Sequence, residues 1–277
     1  MVNFGVRGHD VTGVQTPEEL GCALEAYGVH NVQLALAKSF PTLPSGAREI
    51  NPGMGAQVRR ALAAHGVEVA VLGCYFNMIH PDPAERAAGI AKFEAYLQNA
   101  RYFGAPIVAS ETGSVDVTFA YTEENFTPAA FEVAAQVIRG LCRVAERFGA
   151  IVGIEPGVNH PIHDAETFGE LVEYVDSPAL GLVLDPTALM PPGGAGDAVA
   201  IAREMLERFG ERVCACHLVD YSVQEGKLVR CGIGAGVLPA RELVKLFCSA
   251  RPAGYVITEF TEDEGIRRVV EELGDVA

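Results

Sequence analysis

Residues 150–160 read AIVGIEPGVNH. Ala150 through Ile154 are small or apolar, as in a strand covered on both faces. Glu155 ends the run, and Pro156 forbids helix immediately after it. One buried strand that delivers a carboxylate at its end means little. The chain, however, repeats the device. ALGLVLD ends at Asp185, RVCACH at His217 and GYVITE at Glu259, at separations of 30, 32 and 42 residues. Each step is about one strand, one helix and two connections.

Working outward, apolar runs predict strands at 3–6, 31–36, 67–72, 106–109, 150–155, 180–185, 212–217 and 254–259. Amphipathic stretches separate them. Thr16 with Pro17 opens one helix, and Gly28 lies past its end. Asp82 with Pro83 and Gly104, then Thr127 and Gly149, bracket two more, and Asp164 opens another. Strands alternating with helices imply parallel pairing, and 277 residues suit one closed (β/α)8 TIM barrel spanning 1–277. An open doubly wound sheet is the alternative. It lacks its phosphate-binding GxGxxG, since GVRGHDVTG stands after the first strand.

The segments after strands four, six and seven (SETGSVDVTFAYTEENF, PPGGAGD and DYSVQEGKLVRCGIGAGVLP) are long and read as loops. In a barrel such loops build the functional face. Strand alternation places Val213, Ala215 and His217 on the inner face, with Cys214 and Cys216 toward the helices. It likewise turns Ile151, Gly153 and Glu155 inward, with Gly181, Val183 and Asp185, and Tyr255, Ile257 and Glu259. The expected interior is apolar below, with three carboxylates and one imidazole ringed on top.

Three clustered carboxylates repel unless protonated or bound to a cation. One divalent metal resolves this, held by Glu155, Asp185, His217 and Glu259. A carboxylate-rich set with one His favours Mn2+, with Mg2+, Co2+ or Zn2+ also compatible.

Composition narrows the partners. The net charge is −15, and 49% of residues are hydrophobic. No Lys/Arg cluster stands out, which disfavours nucleic acid. No apolar run reaches the ~20 residues of a membrane span, and no signal peptide is evident, so cytoplasm is the expected location. The seven cysteines lack any CxxC pairing and read as free thiols in a reducing compartment.

The chain resembles the xylose isomerase-like barrels, the sugar phosphate isomerase/epimerase superfamily. VGIEP, GLVLDP, CHLVDY and ITEF carry the resemblance, joined by GVRGHD, IHPDP and ETGS. It implies one divalent metal on Glu155, Asp185, His217 and Glu259. It also implies an isomerase or epimerase of a ketose or related polyol, with Glu155 and Glu259 as the acid/base pair. Chemistry agrees, because a cation at the carbonyl acidifies the neighbouring C–H and a carboxylate on either side can shuttle the proton.

His160, His80, Glu111, His9 and Arg230 are candidate substrate contacts; His30, His65 and His163 read as structural or solvated. GIGAG (232–236) is a weak phosphate-loop candidate, more often a flexible turn. Ala188 and Val219 stand where many relatives carry His or Asn, and Lys. A metal-dependent dehydratase of a ketocyclitol or keto-acid shares the barrel and the opening proton abstraction and is one alternative; the departures leave room for another, a non-catalytic metal- or sugar-binding relative. An apurinic-site endonuclease of the same fold would need more His and a basic groove. The resemblance also suggests a homodimer or homotetramer.

Overall fold

In a computed structural model of the protein, residues 2–276 are described. The chain opens with β1 (Asn3–Arg7), a 3-10 turn (Gly8–Asp10) and α1 (Pro17–Tyr27). Next come β2 (Asn31–Leu34), the one-turn α2 (Leu36–Ser39), α3 (Pro52–Ala63), β3 (Glu68–Gly73) and α4 (Pro83–Phe103). The middle is β4 (Ile107–Glu111), α5 (Pro128–Phe148), β5 (Ile151–Glu155), α6 (Ala165–Val175), β6 (Leu180–Leu184) and α7 (Ala198–Phe209). The last part holds β7 (Val213–Leu218), β8 (Asp220–Gln224), β9 (Lys227–Cys231), α8 (Ala240–Ala250), β10 (Tyr255–Thr258) and α9 (Glu264–Leu273).

Eight parallel strands close in the order β1-β10-β7-β6-β5-β4-β3-β2, which is the expected TIM barrel. The capping signals act as the sequence indicates. Thr16 forms a capping box with Glu19, and the side chains of Asp82, Thr127 and Asp164 accept from first-turn amides. The run expected as strand through Leu36 stops at Leu34, and α2 takes its last residue.

The sheet separates two apolar regions. Outside it, α5 buries Ile138, Leu141 and Ala145 against the strands. Inside, Val71, Ile107, Ala109, Val183, Ala215 and Ile257 fill the lumen, with Ile151 and Tyr255 packed on them. Glycines make room at the narrowest points. A Cβ on Gly153 would stand 2.9 Å from Val183 Cγ2, and one on Gly5 2.6 Å from Ile257 Cδ1.

The structure corrects two expectations. Cys214 faces the lumen, where its Sγ approaches Gly181, while Val213 joins the outer core. The cause is a register shift between β6 and β7, where Leu182 pairs Val213 but Val183 pairs Ala215. Cys216 keeps its expected outward direction. The segment after β7 is not one open loop, because β8 and β9 form an antiparallel hairpin. Its turn, Glu225-Gly226, has φ of +50° and +75°, the positive pair of a type I′ turn.

Among the described residues, no helix is long and apolar enough to cross a membrane.

Candidate active site

Parallel strands in a barrel bring their C-terminal ends to one mouth. Glu155 is the last residue of β5, Asp185 comes just after β6, His217 lies in β7 and Glu259 comes just after β10. Register holds Glu111 beside Glu155, Ile257 beside His217 and Arg7 beside Gln33. All four expected ring members are buried, at 7%, 1%, 1% and 6% exposure respectively.

His217 Nδ1 lies 3.2 Å from Glu155 Oε1 and 3.2 Å from Glu259 Oε1. Its Nε2 is 2.9 Å from Gln33 Oε1. Arg7 Nη1 donates to Glu259 Oε2 at 3.0 Å, and its other nitrogens grip Asp10 at 2.8 and 2.9 Å. Asp185 Oδ1 accepts from the Thr187 amide at 2.8 Å, while its buried Oδ2 has no hydrogen-bond partner.

These surroundings set the protonation states. Burial opposes charge on His217, but Glu155 and Glu259 outweigh it and carry its pKa up to about 9. Burial pushes Asp185 up to about 7, against the pull of Arg230 and with the repulsion of Glu155 and Glu259. Burial, aided by the Glu155 charge, raises Glu259 despite His217 and Arg7. Glu155 falls below the ordinary carboxylate range, because His217 and Arg230 outweigh its burial.

His217 is therefore ion-paired with both Glu155 and Glu259. Among the described residues, no three His, Cys, Asp or Glu side chains stand as a ready-made coordination group. The donor chemistry nevertheless fits a divalent cation. Three carboxylates and an imidazole share one buried mouth, and Asp185 Oδ2 lacks any partner.

The remaining candidates divide. Arg230, on β9, is exposed at the rim yet lies in the field of Asp185, Glu155, Glu259 and Glu111. His160 Nδ1 lies 2.8 Å from the Gly113 carbonyl; a carbonyl only accepts, so Nδ1 carries the proton and Nε2 is left open. His160 also contributes to lowering Glu155. Glu111 ends β4, half-buried beside Glu155. His9 rides the 3-10 turn past β1, and burial together with Arg7 pushes it down to about 4. His80 accepts from the Asp82 amide at 3.1 Å, in the turn that opens α4, and no hydrogen bond ties it to the ring.

In GIGAG the structure speaks against the weaker, phosphate-loop alternative. The Gly234 and Gly236 amides donate to Asp220 Oδ2, and those of Tyr221 and Leu238 donate to Oδ1. Those amides are not free to cradle a phosphate. Arg7, Gln33 and Tyr75 are residues that sequence reasoning missed. Tyr75 accepts from Gln33 Nε2 at 3.0 Å, while burial and the nearby glutamates hold its hydroxyl well above its ordinary range. Of the three, Arg7 alone carries a signal, since it ends the apolar run of the first strand.

A closed parallel barrel with buried carboxylates and an imidazole at its C-terminal mouth defines a barrel protein with a cation-compatible, acid/base-capable site. The chain belongs to the xylose isomerase-like TIM barrel family, whose model matches residues 23–275. No curated protein matches the chain. Solved structures share the fold at low identity. The 3-keto-D-glucoside 4-epimerase YcjR from E. coli, in its apo form, is 15% identical with a TM-score of 0.75, over 99% of both chains. The probable 3-DHS dehydratase AsbF of Bacillus anthracis is 13% identical with a TM-score of 0.74, again over 99% of both. A xylose isomerase-like TIM barrel protein from Mycobacterium smegmatis, in complex with magnesium, is 16% identical with a TM-score of 0.72. That match covers 94% of this chain and 87% of the other.

Proposed function

We propose that this protein is a divalent-metal-dependent isomerase or epimerase of a ketose or related polyol. The observation that carries the reading is that Glu155 and Glu259 flank one His217 nitrogen at the barrel mouth. Glu155, Asp185, His217 and Glu259 would hold the cation, with Mn2+ the first choice for a carboxylate-rich set. Once bound, such a cation would polarise the substrate carbonyl as a Lewis acid and so make the adjacent C–H more acidic.

The chain's own residues supply the proton movement. One glutamate takes the proton beside the carbonyl, and the other returns one to the same or the neighbouring carbon. Arg7 anchors Glu259 through Oε2, leaving Oε1 directed at the site. His160, Glu111, His9, His80 and Arg230 are proposed to contact substrate oxygens, with Arg230 and His160 best placed.

The test is incorporation of solvent deuterium into a panel of ketoses, read by mass spectrometry with Mn2+ present. Exchange is expected in the wild type. Glu155→Gln or Glu259→Gln should lower it by about 10^2- to 10^4-fold with an unchanged circular dichroism spectrum. Full exchange in both variants would reject the acid/base pair.

Arg230 favours one second reading. Its guanidinium in the field of the carboxylates suits a keto-acid, and with it a metal-dependent dehydratase, which begins with the same proton abstraction. Loss of about 18 mass units, the one water eliminated after that abstraction, separates the two.

The reading includes a small-molecule partner and a cytoplasmic location, the latter supported by seven cysteines with no disulfide among them. It also includes a homodimer or homotetramer. Val117, Phe119 and Tyr121, exposed in the loop after β4, support such a contact, and sedimentation velocity reads it directly.

A further inference from the structure

Gln33 is fully buried at 0% exposure, although its side chain carries hydrogen-bonding groups that burial would otherwise leave costly. It stands on β2, and its amide reaches His217 on β7 and Glu259 beyond β10. Three neighbours determine which way the amide faces. Glu259 Oε1, at 3.4 Å, belongs to a group that accepts hydrogen bonds when ionised. Tyr75 OH lies at 3.0 Å from the same end of the amide. The end facing a carboxylate must be the NH2, so the carbonyl faces His217. A carbonyl only accepts, hence the imidazole nitrogen 2.9 Å from it must carry a proton.

We infer that Gln33 is a positioning residue that fixes His217 with a proton on Nε2 and turns Nδ1 toward Glu155 and Glu259. The inference rests on the proposed cation site, because it states through which nitrogen His217 would bind. In the neutral imidazole only Nδ1 then has a free lone pair, and it points at the two glutamates. An amide serves this purpose better than a carboxylate would. It holds the imidazole without adding a fourth negative charge, and its NH2 end simultaneously steadies Glu259. Tyr75 in turn holds that NH2 end, so the amide is constrained from both sides.

Nuclear magnetic resonance of 15N-histidine-labelled protein tests the inference, with Zn2+ as a diamagnetic probe and with EDTA. In the wild type, the Nε2–H proton of His217 should be visible in both states, and Zn2+ should move the Nδ1 resonance. Gln33→Met should lose the protected Nε2–H signal and weaken Zn2+ binding by about 10- to 100-fold in calorimetry. Gln33→Glu retains an oxygen for the imidazole and should keep the Nε2–H signal, which separates orientation from general damage to the fold. Zn2+ acting on Nε2, or Gln33→Met retaining both the tautomer and the affinity, would overturn the assignment. Should Zn2+ not bind the wild type at all, the metal reading fails. The Nε2–H signal in EDTA, compared between wild type and Gln33→Met, then still decides what Gln33 does.

Discussion

Arg7 holds two carboxylates at once, and does so almost out of water. Its side chain is 12% exposed, against 7% for both Asp10 and Glu259. The guanidinium fork meets Asp10 with two nitrogens and Glu259 with the third, and its face lies 4.2 Å from the centre of the Phe260 ring. Removing one member of a buried ionic group strands the others, which costs about 3–5 kcal/mol. Arg7→Met is expected to lose stability of that order in urea unfolding. Arg7→Lys keeps the charge but cannot span both partners, so it should fall between Arg7→Met and wild type. Equal stability for all three proteins would mean that Glu259 is not held through Arg7. The sequence shows this arginine at the end of a strand but not the carboxylates it meets. Its role comes from the barrel's closure, which brings β1 against β10 although Arg7 and Glu259 are 252 positions apart. The same is true of Gln33, whose partners lie on strands far away in sequence.

At the scale of elements, legibility tracks local chemistry. The eight barrel strands are readable because each is an apolar run punctuated by Gly, Pro or a polar end. The four ring residues are readable because they are those ends. The hairpin is not. Its strands are polar and half exposed, and Glu225-Gly226 lacks the Asn-Gly or Asp-Gly signature of a two-residue turn. The inward turn of Cys214 is hidden for another reason. A register shift is a property of two paired strands, and strict alternation along one of them cannot show it. Asp220, at the base of the hairpin, organises the segment beyond β9 by accepting from the amides of Tyr221, Gly234, Gly236 and Leu238. Asp220→Asn converts part of that acceptor set into a donor, and is expected to cost about 2–3 kcal/mol. Hydrogen exchange should localise the damage to the 232–238 segment. Uniform loss of protection across the barrel would contradict this local role. Gly153 bears on the lumen side of β5. Val in its place drives a methyl toward Val183 and Ile107, and overpacking of this kind costs about 1–3 kcal/mol in thermal unfolding.

For the whole molecule, the decisive fact is that an apolar lumen ends in a ring of charge. Inside the barrel the sheet is lined with aliphatic side chains, so the charges at the mouth have few partners except one another. This makes stability depend on pH in a direction that can be worked out. With EDTA present, the folded chain keeps the His217 proton up to about pH 9, whereas the unfolded chain releases it near 6.5. That stabilisation is complete below about pH 6.5 and is lost as pH rises through about 9. It amounts to about 3 kcal/mol. Asp185, pushed up to about 7 from 3.8, works in the same direction at lower pH. His9, pushed down to about 4 from 6.5, works in the opposite one, but only below about pH 6.5. Between pH 7 and 9 the buried thiols act in the same direction, since burial raises Cys74, Cys142 and Cys214 to about 12 while the unfolded thiols begin to ionise. The His217 part is therefore read as the difference between wild type and a His217 variant. The unfolding free energy of the chelated protein should fall across that interval, and more steeply in wild type than in His217→Gln. A divalent cation competes with protons for the same groups, so added Mn2+ should stabilise the protein more at pH 8 than at pH 6. An equal fall from pH 7 to 9 in the chelated wild type and His217→Gln would show that His217 is not held as an imidazolium between Glu155 and Glu259.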